Sequence, residues 1–308
     1  MDGICLYDFP RPMNWRGVFA ATTTPFDPAL GIDAAALAAH VDWMARAGCT
    51  GIVPLGSLGE GNTLDFDEKL RVIDIVREAL AGRAALVPGI AALSTAEAVA
   101  LVRAAERRGC TGAMILPPYV YKGDVRETGA YFAAVLGATS LPCMLYNNPL
   151  AYGTDVAPEQ IAALASRHDN LEAVKESSAD IRRFAAIRAF AGDRLALFAG
   201  VDDLIVEAID AGACGWIAGL VNAFPQESVA LFELCATGER ERARALYAWF
   251  LPLLRLDVIP KFVQAIKLVQ AEAGRGSERV RPPRLELEGA ERAAVLAVFK
   301  ESVRAQRG

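Results

Sequence analysis

Between residues 17 and 220 the chain keeps alternating short apolar runs with longer segments of helical period, and few architectures accept that pattern. There are eight such runs: GVFAAT (17–22), GIVPLG (51–56), ALVPGIA (85–91), GAMILPP (112–118), LPCMLYN (141–147), LEAVKE (171–176), LALFAG (195–200) and GWIAGL (215–220). Each is apolar on both faces, as expected of a parallel strand covered by helices. The segments between them include AAALAAHVDWMARAG and AEAVALVRAAERRG, which are amphipathic at helical spacing. Helix starts are marked by Asp65 ahead of Glu68 and by Ser94 ahead of Glu97, both at capping-box spacing. A short turn recurs as Ala47-Gly48-Cys49-Thr50-Gly51, Arg108-Gly109-Cys110-Thr111-Gly112 and Ala211-Gly212-Ala213-Cys214-Gly215. In each, a glycine is placed to end a helix in the left-handed conformation before the chain enters an apolar run.

Eight strands alternating with helices predict an α/β fold closed as a (β/α)8 TIM barrel, whose usual size is roughly 250 residues. The competing open, doubly wound sheet lacks its usual support, because no GxGxxG follows the first run. After residue 225 the strand pattern stops. Helical segments are expected over 226–237, over 239–270 with a break near Pro252 and Pro260, and over 287–305, with 274–287 a loop by composition. The predicted organisation is therefore a barrel over 1–225 and a C-terminal helical extension, 226–308, packed on it.

Composition narrows the function classes. The formal net charge of −5 argues against a nucleic-acid-binding protein. No apolar run is long enough to cross a bilayer, and the start, MDGICLYDFPRPMNW, has no apolar core behind a basic segment, so a cytoplasmic protein is expected. The six cysteines (Cys5, Cys49, Cys110, Cys143, Cys214 and Cys235) form no CxxC pair and are expected as free thiols, mostly buried. With only His40 and His168, and no HExxH, neither a transition-metal site nor a Ser-His-Asp triad is expected.

Barrels of this kind carry their sites at the C-terminal ends of the strands. Five runs end there in polar residues: Gly56-Ser57-Leu58-Gly59-Glu60-Gly61, Tyr146-Asn147-Asn148-Pro149, Lys175-Glu176-Ser177-Ser178, Gly200-Val201-Asp202-Asp203 and Gly219-Leu220-Val221-Asn222. Lys175 is the unusual one. A lysine reaching into a barrel mouth loses hydration, which favours the neutral amine, and a neutral amine can attack a ketone to form an imine. The competing reading is a structural ion pair. The Tyr146 phenol can pass protons to and from the carbinolamine, or be a core tyrosine. The Gly56–Gly61 loop presents backbone N–H groups and a serine hydroxyl suited to a carboxylate or phosphate, or is a tight turn. Glu60 suits a base or a cap, and Asp202 and Asp203 suit the start of the next helix.

GSLGE, YNNP, VKESS and GVDD, in this order, resemble the dihydrodipicolinate synthase / N-acetylneuraminate lyase superfamily, from Gly17 into the C-terminal helices. The resemblance implies a class I, aldolase-like barrel, commonly a homotetramer, that acts on pyruvate or another 2-keto acid through a lysine Schiff base with no metal or cofactor. It assigns Lys175 as the Schiff-base lysine and Tyr146 as the proton-shuttling tyrosine. Ser57 and the backbone N–H of Leu58 match the pocket for the substrate carboxylate, and Ile217 matches a backbone contact to the same keto acid. Asn148, Ser177 and Gly200 join the substrate-binding candidates. The protonated imine is an electron sink that stabilises a carbanion at C3.

Three departures bear on the substrate. The family's synthase has two adjacent threonines where this chain has Ser57-Leu58, a Pro-Tyr-Tyr stretch where this chain has Pro118-Tyr119-Val120, and an arginine where Ala151 stands. The loss of a guanidinium–carboxylate pair is a large loss of specific binding. A dehydratase, deaminase or aldolase is therefore expected, acting on a 2-keto-3-deoxy sugar acid or a hydroxypyrroline carboxylate. The alternatives are the synthase itself, condensing pyruvate with aspartate semialdehyde, and a non-catalytic metabolite-binding barrel. The distal pocket is expected from Tyr119, Tyr121, Asn148, Tyr152, Ser177, Asp202 and Asn222.

Overall fold

The computed structural model describes residues 13–119 and 121–307. Its parallel strands are β1 (Gly17–Ala21), β2 (Gly51–Val53), β3 (Ala85–Leu86), β4 (Gly89–Ile90), β5 (Ala113–Ile115), β6 (Cys143–Asn147), β7 (Leu171–Glu176), β8 (Ala196–Ala199) and β9 (Gly215–Ala218). They are joined in the order β3-β2-β1-β9-β8-β7-β6-β5-β4. The two ends of this order are halves of one apolar run. β3 pairs with β2 and β4 pairs with β5. The chain between them still bonds to both sides, Val87 N–H to Ile52 O at 3.0 Å and Met114 N–H to Pro88 O at 3.0 Å. Pro88 has no N–H to give the ladder, which divides the strand without opening it. The sheet is therefore a closed (β/α)8 barrel with C-terminal helices, as the sequence predicts.

The alternation of side chains along each strand separates two cores. Val18, Ile52, Leu145, Val174, Trp216 and Ala218 face outward into the layer under the helices. Phe19, Val53, Met114, Met144, Ala173, Phe198 and Ile217 face inward and fill the barrel. Aromatics close the interior: the Trp15 and Phe19 rings stack at 6.0 Å, and Phe19 meets Phe198 edge-on at 5.1 Å. Gly51 and Gly215 make room for them, since a Cβ at either would fall 2.2 Å from the Phe19 or Phe198 ring. The glycines of the repeated turn, Gly48, Gly109 and Gly212, all have positive φ, as expected of helix-ending glycines. Asp65 and Glu68 form the full capping box, while Ser94 supplies only its own half by accepting from Glu97 N–H.

Beyond the barrel lie the helices Pro225–Ala236, Arg240–Leu254, Phe262–Glu272 and Gly289–Arg307, with 274–288 free of helix. The expected break falls over 255–261, around Pro260, while Pro252 stays inside the helix. Pro252 lies in the last turn, where few later N–H groups depend on regular geometry. The Glu60 carboxylate anchors this region. It is fully buried, takes Lys267 Nζ at 2.5 Å and accepts the Arg281 backbone N–H at 3.0 Å. Lys267 Nζ also donates to Arg279 O at 2.7 Å. No helix among the described residues is long and apolar enough to cross a membrane.

Candidate active site

The inward positions at the C-terminal rim converge on Lys175. It stands one inward step beyond Ala173 on β7, is 7% exposed, and lies opposite Tyr146 in the β6–β7 register. Its Nζ sits 4.0 Å from the centre of the Tyr146 ring. Among the described residues it forms no ion pair, so the structural-pair reading of this lysine finds no partner carboxylate. The neighbouring Glu176 points the other way, into an ion pair with Arg183 at 3.1 Å.

Gly200 explains how the lysine fits. On β8, Phe198 points inward, so a side chain at residue 200 would too. A Cβ there would lie 1.9 Å from Ser177 Oγ and 2.8 Å from both Cγ and Cε of Lys175. Ser177 is the next inward residue after Lys175, and its buried Oγ has no hydrogen-bond partner among the described residues. Burying a hydroxyl unpaired is costly, which marks it as a group awaiting a partner. Ile217 also faces inward, one step below Gly219 on β9, and is 1% exposed.

The Gly56–Gly61 loop is wound tightly, with Leu55 and Glu60 both at positive φ. Gly61 permits this, because a Cβ there would meet Leu55 O at 2.1 Å. The backbone N–H groups of Ser57 and Leu58 donate to no acceptor among the described residues, as an anion-binding turn requires. The Leu58 side chain is buried in the outer core, so only its backbone can serve the site. The Ser57 hydroxyl is hydrogen-bonded to the Tyr152 hydroxyl. Tyr152 closes the short helix Pro149–Tyr152 and meets the Tyr146 ring edge-on at 5.9 Å and the Tyr119 ring at 6.0 Å. Burial, and then the nearby Tyr146, hold the Tyr152 phenol well above its ordinary range, so it stays protonated. Asn148 orients this group with both ends of its amide, donating to Tyr146 Oη at 2.9 Å and capping Ala151 N–H at 2.9 Å.

Other candidates are not where the sequence suggested. Asn222 belongs to the frame: its Nδ2 donates to Ala21 O and Gly219 O, and its Oδ1 accepts from Thr23 N–H and His40 Nε2. His40 is thereby tied to the barrel wall, and burial lowers its pKa to about 4. The Asp202 carboxylate is fully buried and accepts from Trp216 Nε1 and from the Gly219 and Leu220 N–H groups. Burial outweighs those donors and pushes it up to about 6. Asp202 thus holds the β9 rim and is not free to bind a ligand. Tyr121 is 59% exposed, because it sits past the end of its strand in an irregular turn. Glu60 anchors the extension and is not a base. Ala151 is exposed, and Val120 lies outside the described residues. Cys49 and Cys110 are buried thiols, with burial pushing both up to about 12.

One residue was missed. Asp257, in the turn Arg255–Asp257 of the C-terminal region, reaches the barrel mouth: a Cβ on Gly219 would lie 2.1 Å from its Oδ1. No strand-end pattern signals a residue so far along the chain, and only the glycine at an inward position hinted that something else fills that space.

The Dihydrodipicolinate synthetase family matches residues 14–302. The 4-hydroxy-tetrahydrodipicolinate synthase of Pelobacter propionicus is 32% identical over 93% of this chain and 98% of its own length. That of Geobacter sulfurreducens is 31% identical over 93% of this chain and 98% of its own. The solved structure of the 4-hydroxy-tetrahydrodipicolinate synthase from Methylacidiphilum fumariolicum SolV superposes with a TM-score of 0.89 at 27% identity, covering 94% of this chain and 97% of that one. The dihydrodipicolinate synthase structure from Aquifex aeolicus gives 0.89 at 27% identity over 93% and 97%. With the lysine, the tyrosine and the open backbone amides at one end of a closed barrel, the chain belongs to the dihydrodipicolinate synthetase family and is a lyase of its lysine Schiff-base type.

Proposed function

We propose that Lys175 holds a short 2-keto acid as a Schiff base, with the carboxylate on the Ser57 and Leu58 amides and Tyr146 passing the protons. The observation that carries this is the Lys175 amine, without an ion-pair partner among the described residues, 4.0 Å from the Tyr146 ring. Attack of Nζ on the keto carbon, followed by loss of water, gives the iminium. Its positive charge lowers the cost of a carbanion at C3. Ile217 supplies backbone near the keto acid, and the Ser177 hydroxyl, Asn148 and the space at Gly200 complete the substrate end.

For the step after the imine, the names of the relatives weigh towards condensation of pyruvate with aspartate semialdehyde, which ranked second in the sequence. The dehydratase, deaminase or aldolase reading stays as the second because of one local observation. Tyr152 occupies the Ser57 hydroxyl, and the exposed Ala151 beside it offers no guanidinium for a second carboxylate. We read residues 226–308 as an extension of the barrel, and the whole as a cytoplasmic homotetramer.

The test is borohydride reduction in the presence of pyruvate, a 4-hydroxylated 2-keto acid and a hydroxypyrroline carboxylate, with the adduct mapped by mass spectrometry. A stable adduct on Lys175, absent in Lys175→Ala, is expected. If no ligand labels Lys175, and Lys175→Ala keeps the affinity of the wild type, the protein is a binding barrel. Aspartate semialdehyde added with pyruvate then separates the two lyase readings by whether pyruvate is consumed.

A further inference from the structure

We infer that Asp257, carried into the barrel mouth by the C-terminal region, is a substrate-contacting residue that recognises and protonates the oxygen or nitrogen on C4 of a 2-keto acid bound to Lys175. This rests on the Schiff-base reading of Lys175 above.

Placement comes first. Inward and outward positions alternate on β9: Trp216 and Ala218 face the outer core and Ile217 faces inward. Gly219 is the next inward position. Its missing Cβ would point at the Asp257 carboxyl, 2.1 Å from Oδ1, 2.5 Å from Cγ and 2.8 Å from Oδ2. The carboxyl therefore occupies the mouth itself, not the outer layer. It is close enough to Lys175 to feel its charge. The two emptied inward positions are thus related: Gly200 leaves room for the lysine stem and Gly219 leaves room for the carboxyl.

Availability comes second. Asp202, beside it, is saturated by three donors. Asp203 faces Arg255 at 3.8 Å, and its backbone O accepts from Tyr247. Asp257 has no hydrogen-bond or ion-pair partner among the described residues, yet part of its surface stays accessible. Burial, and then repulsion from Asp202, hold it well above the usual carboxylate range, against the pull of Lys175. Burial of that kind favours the protonated form, which is the form that can donate.

The chemistry balances in either direction. In elimination the enamine electron pair forms the C3–C4 double bond and the C4–O bond breaks. The oxygen leaves with the C4–O bonding pair and takes the Asp257 proton as water, and the nitrogen lone pair re-forms the cationic imine. In condensation C3 of the enamine attacks an aldehyde carbon, the carbonyl pair moves onto oxygen, and the oxygen takes the same proton.

The experiment compares the ligand concentration for half-maximal borohydride trapping with pyruvate and with a 4-hydroxylated 2-keto acid, in wild type, Asp257→Ala and Asp257→Asn. Loss of one hydrogen bond to the ligand should raise the value for the hydroxylated ligand about tenfold in Asp257→Ala, with pyruvate unchanged. Asp257→Asn, which keeps a donor, should restore binding of the hydroxylated ligand but not its conversion. Equal shifts for both ligands, or no shift for either, overturn the assignment. If circular dichroism shows Asp257→Ala to be unfolded, the near-isosteric Asp257→Asn decides: full conversion of the hydroxylated ligand overturns the proposal and lost conversion supports it. Failure of the wild type to trap any ligand overturns the Schiff-base reading and this inference with it.

Discussion

Gly200→Ala should disable Lys175 while leaving that residue a lysine. The added Cβ falls 1.9 Å from Ser177 Oγ and 2.8 Å from Lys175 Cγ and Cε, where real Cβ contacts essentially never come under 3.0 Å. The Ser177 hydroxyl can swing away at little cost, because its Oγ holds no partner among the described residues. The lysine stem cannot, because its amine lies over the Tyr146 ring on the far side. The stem must therefore shift and carry Nζ off the keto carbon. A misplacement of about 1 Å costs a reaction about 10²-fold, and overpacking costs about 1–3 kcal/mol of stability. The assay is the rate of pyruvate adduct formation on Lys175 under borohydride, with urea unfolding run in parallel. Gly219→Ala is the control, since its Cβ displaces Asp257 and leaves the lysine alone. It should trap pyruvate as the wild type does. A folded Gly200→Ala protein that labels at the wild-type rate would refute the view that this glycine exists to seat the lysine.

The trapping experiments with Lys175→Ala and the Asp257 variants test the chemistry, and two further outcomes test the frame. His40 is held below its ordinary 6.5, at about 4, so the unfolded chain binds a proton there before the folded one does. Its contribution is present above pH 6.5 and is lost as pH falls towards 4, by about 2 kcal/mol between pH 7 and pH 5. Asp202, raised to about 6, acts with the opposite sign, so the quantity to read is wild type minus His40→Gln in urea unfolding at both pH values. Identical slopes would show that His40 is not buried neutral. Lys267→Met should cost about 3–5 kcal/mol by stranding the Glu60 carboxylate, with most of it recovered in Lys267→Met/Glu60→Gln. No recovery in the double variant would mean that the loss is one of packing.

What the sequence made legible was periodic or local. The eight apolar runs, the three helix-ending glycines and the capping box at Asp65 need only near neighbours, and each stands where its pattern put it. The inward placement of Lys175 and Tyr146 was legible because a strand's end fixes which way its last residues point. Asn222 and Asp202 misled for a related reason. Both sit at rim positions rich in polar groups, but their donors and acceptors are spent on Ala21, His40, Trp216 and Gly219, partners that only the closed barrel brings near. Asp257 was invisible because its neighbours in space, Gly219 and Asp202, lie far from it in the chain.

An eight-stranded barrel is just wide enough for its own side chains to fill it, so a reactive group can enter the mouth only where an inward position is vacated. The C-terminal region is tied to the barrel rim twice. Glu60 lies in the same loop as the Ser57 and Leu58 amides, and its charge is tolerable only while Lys267 and the Arg281 N–H meet it. Asp257 fills the space that Gly219 leaves. Cutting the chain at the proposed boundary of residue 225 would therefore strand the buried Glu60 carboxylate in the Gly56–Gly61 loop and empty the space beside Gly219. The boundary marks where the strand pattern ends, and the contacts that hold the rim run across it. A barrel truncated there and still able to form the pyruvate adduct would show that the loop holds its shape without Lys267.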